Sequence, residues 1–169
     1  MKVVETGLPG CVVIDPAVWG DARGFFYEAW NAERFGALGL PTKFVQSNVS
    51  SSARGVLRGL HYQWPNPQGK LVSVLEGEVF DVAVDIRRGS PTFGQSTAVV
   101  LSADNKRHFW VPEGFAHGFA VLSERAIFVN VGPISDRFET GTHWVSIVGT
   151  PVSLIPRSRA SRRSSSSTT

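Results

Sequence analysis

Short apolar runs separated by turn-forming residues are the feature that most restricts how this chain can fold. Runs rich in Val, Phe and Leu recur along its length, and Gly, Pro, Ser and Asn interrupt them every few residues. This texture is typical of an all-β sandwich or barrel, in which short strands are joined by tight turns. We predict strands at Cys11–Ile14, Phe25–Trp30, Lys43–Val49, Val56–Gln63, Lys70–Leu75, Glu78–Ile86, Ser96–Leu101, His108–Val111, His117–Leu122 and Ala126–Val131.

One short helix is expected over Asn31–Leu38. Asn31 is a favourable N-cap because its side-chain oxygen can accept a hydrogen bond from the first helical turn. Gly39 and Pro41 follow the segment, and both residue types end helices.

The length of 169 residues suits one domain, which we expect to span residues 1–155. Residues 156–169 are rich in Arg and Ser and almost free of apolar side chains, so we expect a disordered tail. Four arginines of that tail account for the net charge of +3, which leaves a nearly neutral body and argues against a nucleic-acid-binding module. There is no signal-peptide pattern and no run of the ~20 apolar residues that a membrane helix needs. With Cys11 as the single cysteine, a cytoplasmic protein that contacts no membrane is expected.

Residues Val79–Asp85 alternate between polar and apolar side chains. Side chains two apart share a strand face, so Asp81, Ala83 and Asp85 lie on one face. The strand is either an ordinary half-exposed one or one whose polar face lines a cavity. Periodicity alone leaves both interpretations open.

Histidine spacing argues against a local metal site. The chain has four histidines, and neither an HxxxH nor a CxxC motif is present. His108 and His143 are each followed by an aromatic residue and are interpreted as structural or surface residues. His61 and His117 lie in glycine-containing polar segments and are the better candidates for chemistry.

The segment Pro112-x-Gly114-x-x-His117 resembles the second signature of the cupin superfamily. The first signature of metal-binding members has a His-x-His pair, then Glu, then Gly. Here it would read His61-Tyr-Gln63, then Lys70, then Gly77. A lysine ammonium repels a divalent cation and cannot coordinate it. The resemblance therefore implies a cupin-type β jelly-roll without metal or other cofactor, and disfavours a metal-dependent oxygenase or isomerase.

A narrower family matches over about residues 10–128. The chain resembles the dTDP-4-dehydrorhamnose 3,5-epimerases in a series of blocks that occur in the same order. These blocks are Asp21–Glu28, Gln46–Ser51, Gly55–Gln63, Gln68–Val72, Val79–Arg87, Gly89–Gly94 and Trp110–Phe119. The resemblance implies an epimerase acting on a dTDP-linked 4-keto-6-deoxy sugar in dTDP-rhamnose biosynthesis, and a homodimer in which residues 1–14 exchange edge strands.

The chemistry of that family explains the residue types in these blocks. A C4 ketone acidifies the hydrogens on C3 and C5, so a base of suitable pKa can remove one, and a cation can stabilise the enolate. By resemblance, His61 is the base and Lys70 is the cation beside the enolate oxygen. The residues implied to bind the substrate are Arg23, Glu28, Gln46, Ser47, Asn48, Arg58 and His117, with Asp81 as an orienting carboxylate.

Arg58 and His61 are three residues apart, and a regular strand would point them to opposite faces. If both reach one ligand, the strand must bulge near Gly59.

The resemblance stops near Phe128. The family's proton-donor tyrosine lies thirteen positions after the histidine that corresponds to His117, and that count ends at Asn130. An amide does not titrate in the useful range. The family's near-terminal aspartate also has no counterpart, since no acid follows Glu139. Two explanations remain. Either the end has diverged, giving a mono-epimerase or a catalytically impaired dTDP-sugar binder, or a reading-frame shift lies near codon 129.

Overall fold

The structure is a computed structural model and describes residues 1–133 and 143–146. In that part the chain forms one short helix, α1, and strands β1 to β13. In chain order they are β1 (Lys2–Glu5), β2 (Val12–Asp15), β3 (Val18–Asp21), β4 (Gly24–Tyr27), α1 (Ala32–Ala37), β5 (Phe44–Ala53), β6 (Leu57–Trp64), β7 (Lys70–Glu76), β8 (Glu78–Asp85), β9 (Ser96–Ser102), β10 (His108–Val111), β11 (Phe115–Val121), β12 (Arg125–Pro133) and β13 (His143–Ser146).

Two antiparallel sheets form the body of the fold. The large sheet has the order β1-β2-β10-β7-β12-β5, and the small sheet has the order β13-β6-β11-β8-β9. Strands β3 and β4 form a separate two-stranded hairpin. Consecutive strands often lie in different sheets, as β5 and β6 do. The expected all-β, cupin-type jelly-roll with a short helix is confirmed.

The main hydrophobic core lies between the two sheets. Val72 and Phe109 of the large sheet pack in one cluster with Val79 and Phe115 of the small sheet, and all four are buried. A second cluster covers the outer face of the large sheet, where Phe35 of α1 is fully buried. Burial of one such aromatic side chain stabilises a fold by about 1.5–3 kcal/mol, so these clusters fix how the sheets pack.

The predicted helix is confirmed with slightly narrower bounds. Its N-cap is Asn31, whose side chain accepts a hydrogen bond from the backbone N–H of Arg34, 3.1 Å away. Beyond the C-cap, Gly39 has a φ of +71°, the left-handed conformation that glycine adopts without strain.

Sequence patterns missed three strands and misplaced the ends of others. β1 was missed because it is short and mostly exposed, and β3 because Val18-Trp-Gly-Asp21 has no period-two pattern. β13 lay beyond the last predicted strand. The strand predicted at Phe25–Trp30 ends instead at Tyr27, because the chain turns there toward the helix cap.

The described residues test only some of the remaining expectations. Within the chain, β1 pairs with its own β2, and the exchange of residues 1–14 between protomers stays a prediction. The proposed tail at 156–169 and the domain end at 155 lie outside the described residues. In the described part of the chain, α1 has six residues and is far too short to cross a bilayer.

Candidate active site

A cavity of about 280 Å³ opens between the two sheets, beside the main core. Strands β5, β7 and β12 supply its large-sheet wall, and β6 and β11 supply its small-sheet wall. Its lining residues are Asn48, Val49, Ser50, Arg58, His61, Lys70, His117, Gly118, Phe119, Phe128 and Asn130. The cavity therefore brings together five of the predicted binding and catalytic residues and the position of the missing tyrosine.

A bulge in β6 turns Arg58 and His61 to the same side. His61 pairs with His117 and Arg58 pairs with Phe119, so two residues of β6 lie opposite one residue of β11. The extra residue resets the alternation of the strand, and both side chains line the cavity. The bulge predicted from the sequence is confirmed.

Glycine is needed at the bulge for two physical reasons. Gly59 has a φ of +112°, and a Cβ added there would lie 2.6 Å from the Cα of Gly118. The two strands can approach this closely because neither residue has a side chain. The side chain of Arg58 is held by the large sheet, because its Nε donates a hydrogen bond of 2.9 Å to the hydroxyl of Ser52 on β5.

His61 lies on the small-sheet wall, near the cationic side chains of Lys70 and Arg58. Partial burial lowers its pKa, and Lys70, His117 and Arg58 lower it further. A lowered pKa keeps the imidazole neutral at neutral pH, which is the protonation state that a base requires.

Lys70 faces His61 from the opposite sheet. Its ammonium group donates a 3.3 Å hydrogen bond to the backbone carbonyl of His61, and the residue is only 5% exposed. Burial lowers its pKa to about 8, although the nearby carboxylate of Asp81 favours the charged form. A cation held between the sheets suits stabilisation of a developing oxyanion.

His117 is held by a buried carboxylate. Its Nε2 lies 2.9 Å from Oδ1 of Asp81, which is completely buried on the inward face of β8. Burial raises the pKa of Asp81, while the contacts with His117 and Lys70 oppose that rise. The alternation in β8 thus places its acidic face inward, and Asp81 contacts the cavity residue His117.

Asn130 lies on the large-sheet wall, opposite the two histidines. It pairs with Asn48 of β5 and with Val72 of β7. Its side-chain oxygen is buried and has no hydrogen-bond partner among the described residues. The amide thus lines the site at the position predicted for the family's tyrosine.

Two phenylalanine rings form the apolar floor of the cavity. Phe119 of the small sheet stacks on Phe128 of the large sheet, with ring centroids 4.1 Å apart and an angle of 18° between the planes. The imidazole of His117 also lies against Phe128, at 6.2 Å. Sequence reasoning missed both rings, although Phe119 lies two residues after His117 and therefore shares its strand face.

Five predicted binding residues do not line this cavity: Asp81, which contacts His117 behind it, and four others. Arg23 lies on the β3–β4 hairpin, where it forms an ion pair with Asp21 and its side chain is 89% exposed. Glu28 lies 3.3 Å from Arg34 of the helix. Gln46 donates a 3.3 Å hydrogen bond to Asn48 and so supports a lining residue, while Ser47 is exposed. That these four residues bind the substrate therefore stays a prediction.

The described residues also bear on metal binding. Within residues 1–133 and 143–146, no three His, Cys, Asp or Glu side chains converge as a set of metal ligands. Lys70, in the position of a carboxylate ligand, supplies a positive charge instead.

Comparison with known proteins identifies the family. Residues 5–144 match the family dTDP-4-dehydrorhamnose 3,5-epimerase. A dTDP-4-dehydrorhamnose 3,5-epimerase of Pseudomonas aeruginosa is 59% identical over 130 residues, which are 76% of this chain and 72% of that protein.

Solved structures agree in fold. The dTDP-6-deoxy-D-glucose-3,5-epimerase of Legionella pneumophila, in complex with dTDP-4-keto-L-rhamnose, is 54% identical, with a TM-score of 0.80 over 86% of this chain and 77% of that one. A 3'-monoepimerase from Streptomyces bikiniensis in complex with dTDP-quinovose is 33% identical, with a TM-score of 0.71 over 75% and 65% of the two chains. The match over most of the chain establishes that this protein belongs to the dTDP-4-dehydrorhamnose 3,5-epimerase family.

Proposed function

We propose that the cavity binds dTDP-4-dehydro-6-deoxy-D-glucose and that the chain epimerises it at C3 and C5, giving dTDP-4-dehydro-L-rhamnose. The observation that carries the proposal is that His61 and Lys70 meet across one cavity from opposite sheets. An imidazole with a lowered pKa supplies the base, and a buried ammonium supplies the charge that an enolate needs.

The first half of the reaction follows from these two groups. His61 removes the proton from the carbon next to the C4 ketone, and the electron pair moves onto the ketone oxygen. Lys70 then stabilises the enolate oxygen, a contribution of the order of 10²–10³ in rate for a single well-placed donor. His117, which Asp81 orients, binds a further polar group of the sugar.

The second half returns a proton to the other face of the sugar, and in this chain solvent water must supply it. The large-sheet wall carries Asn130 where a tyrosine would donate, and an amide is not an acid in this range. The amide at this position favours a second candidate function. In that function the chain binds dTDP-sugars and exchanges a proton, but it is catalytically impaired or inverts only one carbon.

Arg58 binds the diphosphate in this proposal, because a guanidinium group suits phosphate oxygens.

We propose that Arg23 and Glu28 act in a homodimer, where the hairpin of one protomer covers the cavity of its partner. Support comes from the hairpin itself, which exposes Trp19, Phe25 and Phe26 by 55%, 62% and 69%. Sedimentation should give a dimer, and Trp19→Ser should weaken both dimerisation and substrate binding. A monomer with full substrate affinity would contradict this part.

Deuterium exchange separates the candidate functions. Incubation of the chain with dTDP-4-dehydro-6-deoxy-D-glucose in D2O should place deuterium at C3 and C5, which NMR detects at each position. Exchange with inversion at both carbons supports the epimerase. Binding without inversion supports the impaired binder, and inversion at one carbon supports a mono-epimerase. Loss of activity on treatment with a chelator would instead support a metal-dependent reaction.

A further inference from the structure

The cavity has chemically different ends. Nitrogen-bearing side chains, among them His61 and Lys70, occupy the part between the sheets, and the stacked rings of Phe119 and Phe128 close its floor. Phe119 and Phe128 are 5% and 4% exposed and belong to the main core cluster, so their remaining surface faces the cavity. The floor of the cavity is thus the top of the hydrophobic core. Among the described lining residues, the other large apolar side chain is that of Val49, which is 66% exposed and lies at the surface.

The proposed substrate has one matching apolar corner. Its C2, C3 and C4 atoms carry oxygen, whereas C6 is a methyl group bonded directly to C5. C5 must approach His61 to react, and the methyl group is only one bond away from C5. The methyl group must therefore lie close to His61 as well. Oxygen atoms placed against the two rings would lose hydrogen bonds to water without replacement, whereas a methyl group loses none.

Resting on the proposed function, we infer that Phe119 and Phe128 are specificity-determining residues that receive the C6 methyl group and reject sugars with a C6 hydroxyl. Two rings supplied by different sheets make a rigid floor, because moving either one disturbs the core. A hydroxyl added to a ligand in such a site costs about tenfold to 10²-fold in affinity.

The test compares two stable ligands that differ only in that hydroxyl. Titration calorimetry on the intact protein measures the Kd of dTDP-6-deoxy-D-glucose and of dTDP-D-glucose, so no turnover is required. The expected ratio favours the deoxy sugar by at least about tenfold. In Phe128→Leu the ratio should fall to about threefold or less, since the smaller side chain opens the floor toward the polar side chains of the cavity, where a water molecule can pair with both them and the hydroxyl.

Phe109→Leu is the matched control, because Phe109 is equally buried in the same core cluster but does not line the cavity. Its ratio should equal that of the wild type. If Phe128→Leu does not fold, Phe128→Met repeats the test with a side chain closer in volume. Equal affinities in the wild type, or an unchanged ratio in a folded Phe128 variant, would overturn the inference. Failure of both sugar nucleotides to bind would overturn the proposed function itself, and the inference with it.

Discussion

The small-sheet wall of the cavity presents His61, Arg58 and His117, whereas the large-sheet wall presents Lys70 and the amide of Asn130. The first wall carries the residue types that proton removal and substrate binding require. The second carries the buried ammonium of Lys70 but has a side chain that does not titrate at Asn130. In the proposed mechanism, removing a proton and returning it to the opposite face therefore depend on different strands, so one step can survive the loss of the other.

Among changes to the large-sheet wall, Lys70→Met should lower the rate of proton exchange the most. The variant keeps the length of the side chain and removes the charge, so exchange of the C3 and C5 protons should fall by about 10³-fold. NMR in D2O measures the rate. Lys43→Met, at an exposed position just before β5, serves as the control and should exchange at the wild-type rate. An exchange rate for Lys70→Met within a few-fold of wild type would contradict the role given to the ammonium.

Asn130→Tyr should restore the missing donor. The phenol would face the same cavity from the large sheet, and the yield of inverted product per unit time should rise by about 10²-fold. Asn130→Phe is the control, because it adds the ring without the hydroxyl. A gain shared equally by both variants would mean that shape matters here and proton donation does not.

Gly59→Ala tests the bulge that aligns the small-sheet wall. A Cβ at position 59 would lie 2.6 Å from the Cα of Gly118. The φ of +112° at Gly59 is also a conformation that residues with a side chain rarely adopt. We expect the free energy of unfolding to fall by about 4 kcal/mol, measured by urea denaturation. Gly7→Ala, at a site with no atom within 4 Å, should change it little. Equal stabilities of the two variants would show that the bulge tolerates a side chain.

His108 provides a titration away from the cavity, on the outer face of the large sheet. Burial lowers its pKa from 6.5 to about 4, and its Nε2 has no hydrogen-bond partner in the described part of the chain. Between those pH values the unfolded chain binds the extra proton, so stability falls as the pH drops from 6.5 to 4. The loss is at most about 3 kcal/mol.

His108→Phe should remove that part of the pH dependence, which urea denaturation at several pH values would reveal. An unchanged pH profile in this variant would assign the titration to another group.

Local patterns predicted most of the fold, whereas about half of the cavity lining was predicted from the resemblance to the epimerase family. Period-two alternation located β8, and Asn31 with Gly39 located the helix, because these signals arise from neighbouring residues. β3 and β1 escaped prediction because exposed strands need no apolar alternation.

The floor of the cavity escaped prediction for a different reason. Phe128 meets Phe119 only because two sheets pack together, a long-range relation that spacing does not encode. Arg23 matched the family pattern, yet within the described chain its side chain is exposed on the hairpin. A match in sequence carries no information on where the fold places a residue relative to the cavity.

The most direct test of the account is solvent deuterium exchange into dTDP-4-dehydro-6-deoxy-D-glucose by the wild type and by His61→Asn. The wild type should exchange the C3 and C5 protons, and the variant should bind the nucleotide sugar with similar affinity but exchange at least about 10³-fold more slowly. Exchange at the wild-type rate in His61→Asn would contradict the assignment of His61 as the base.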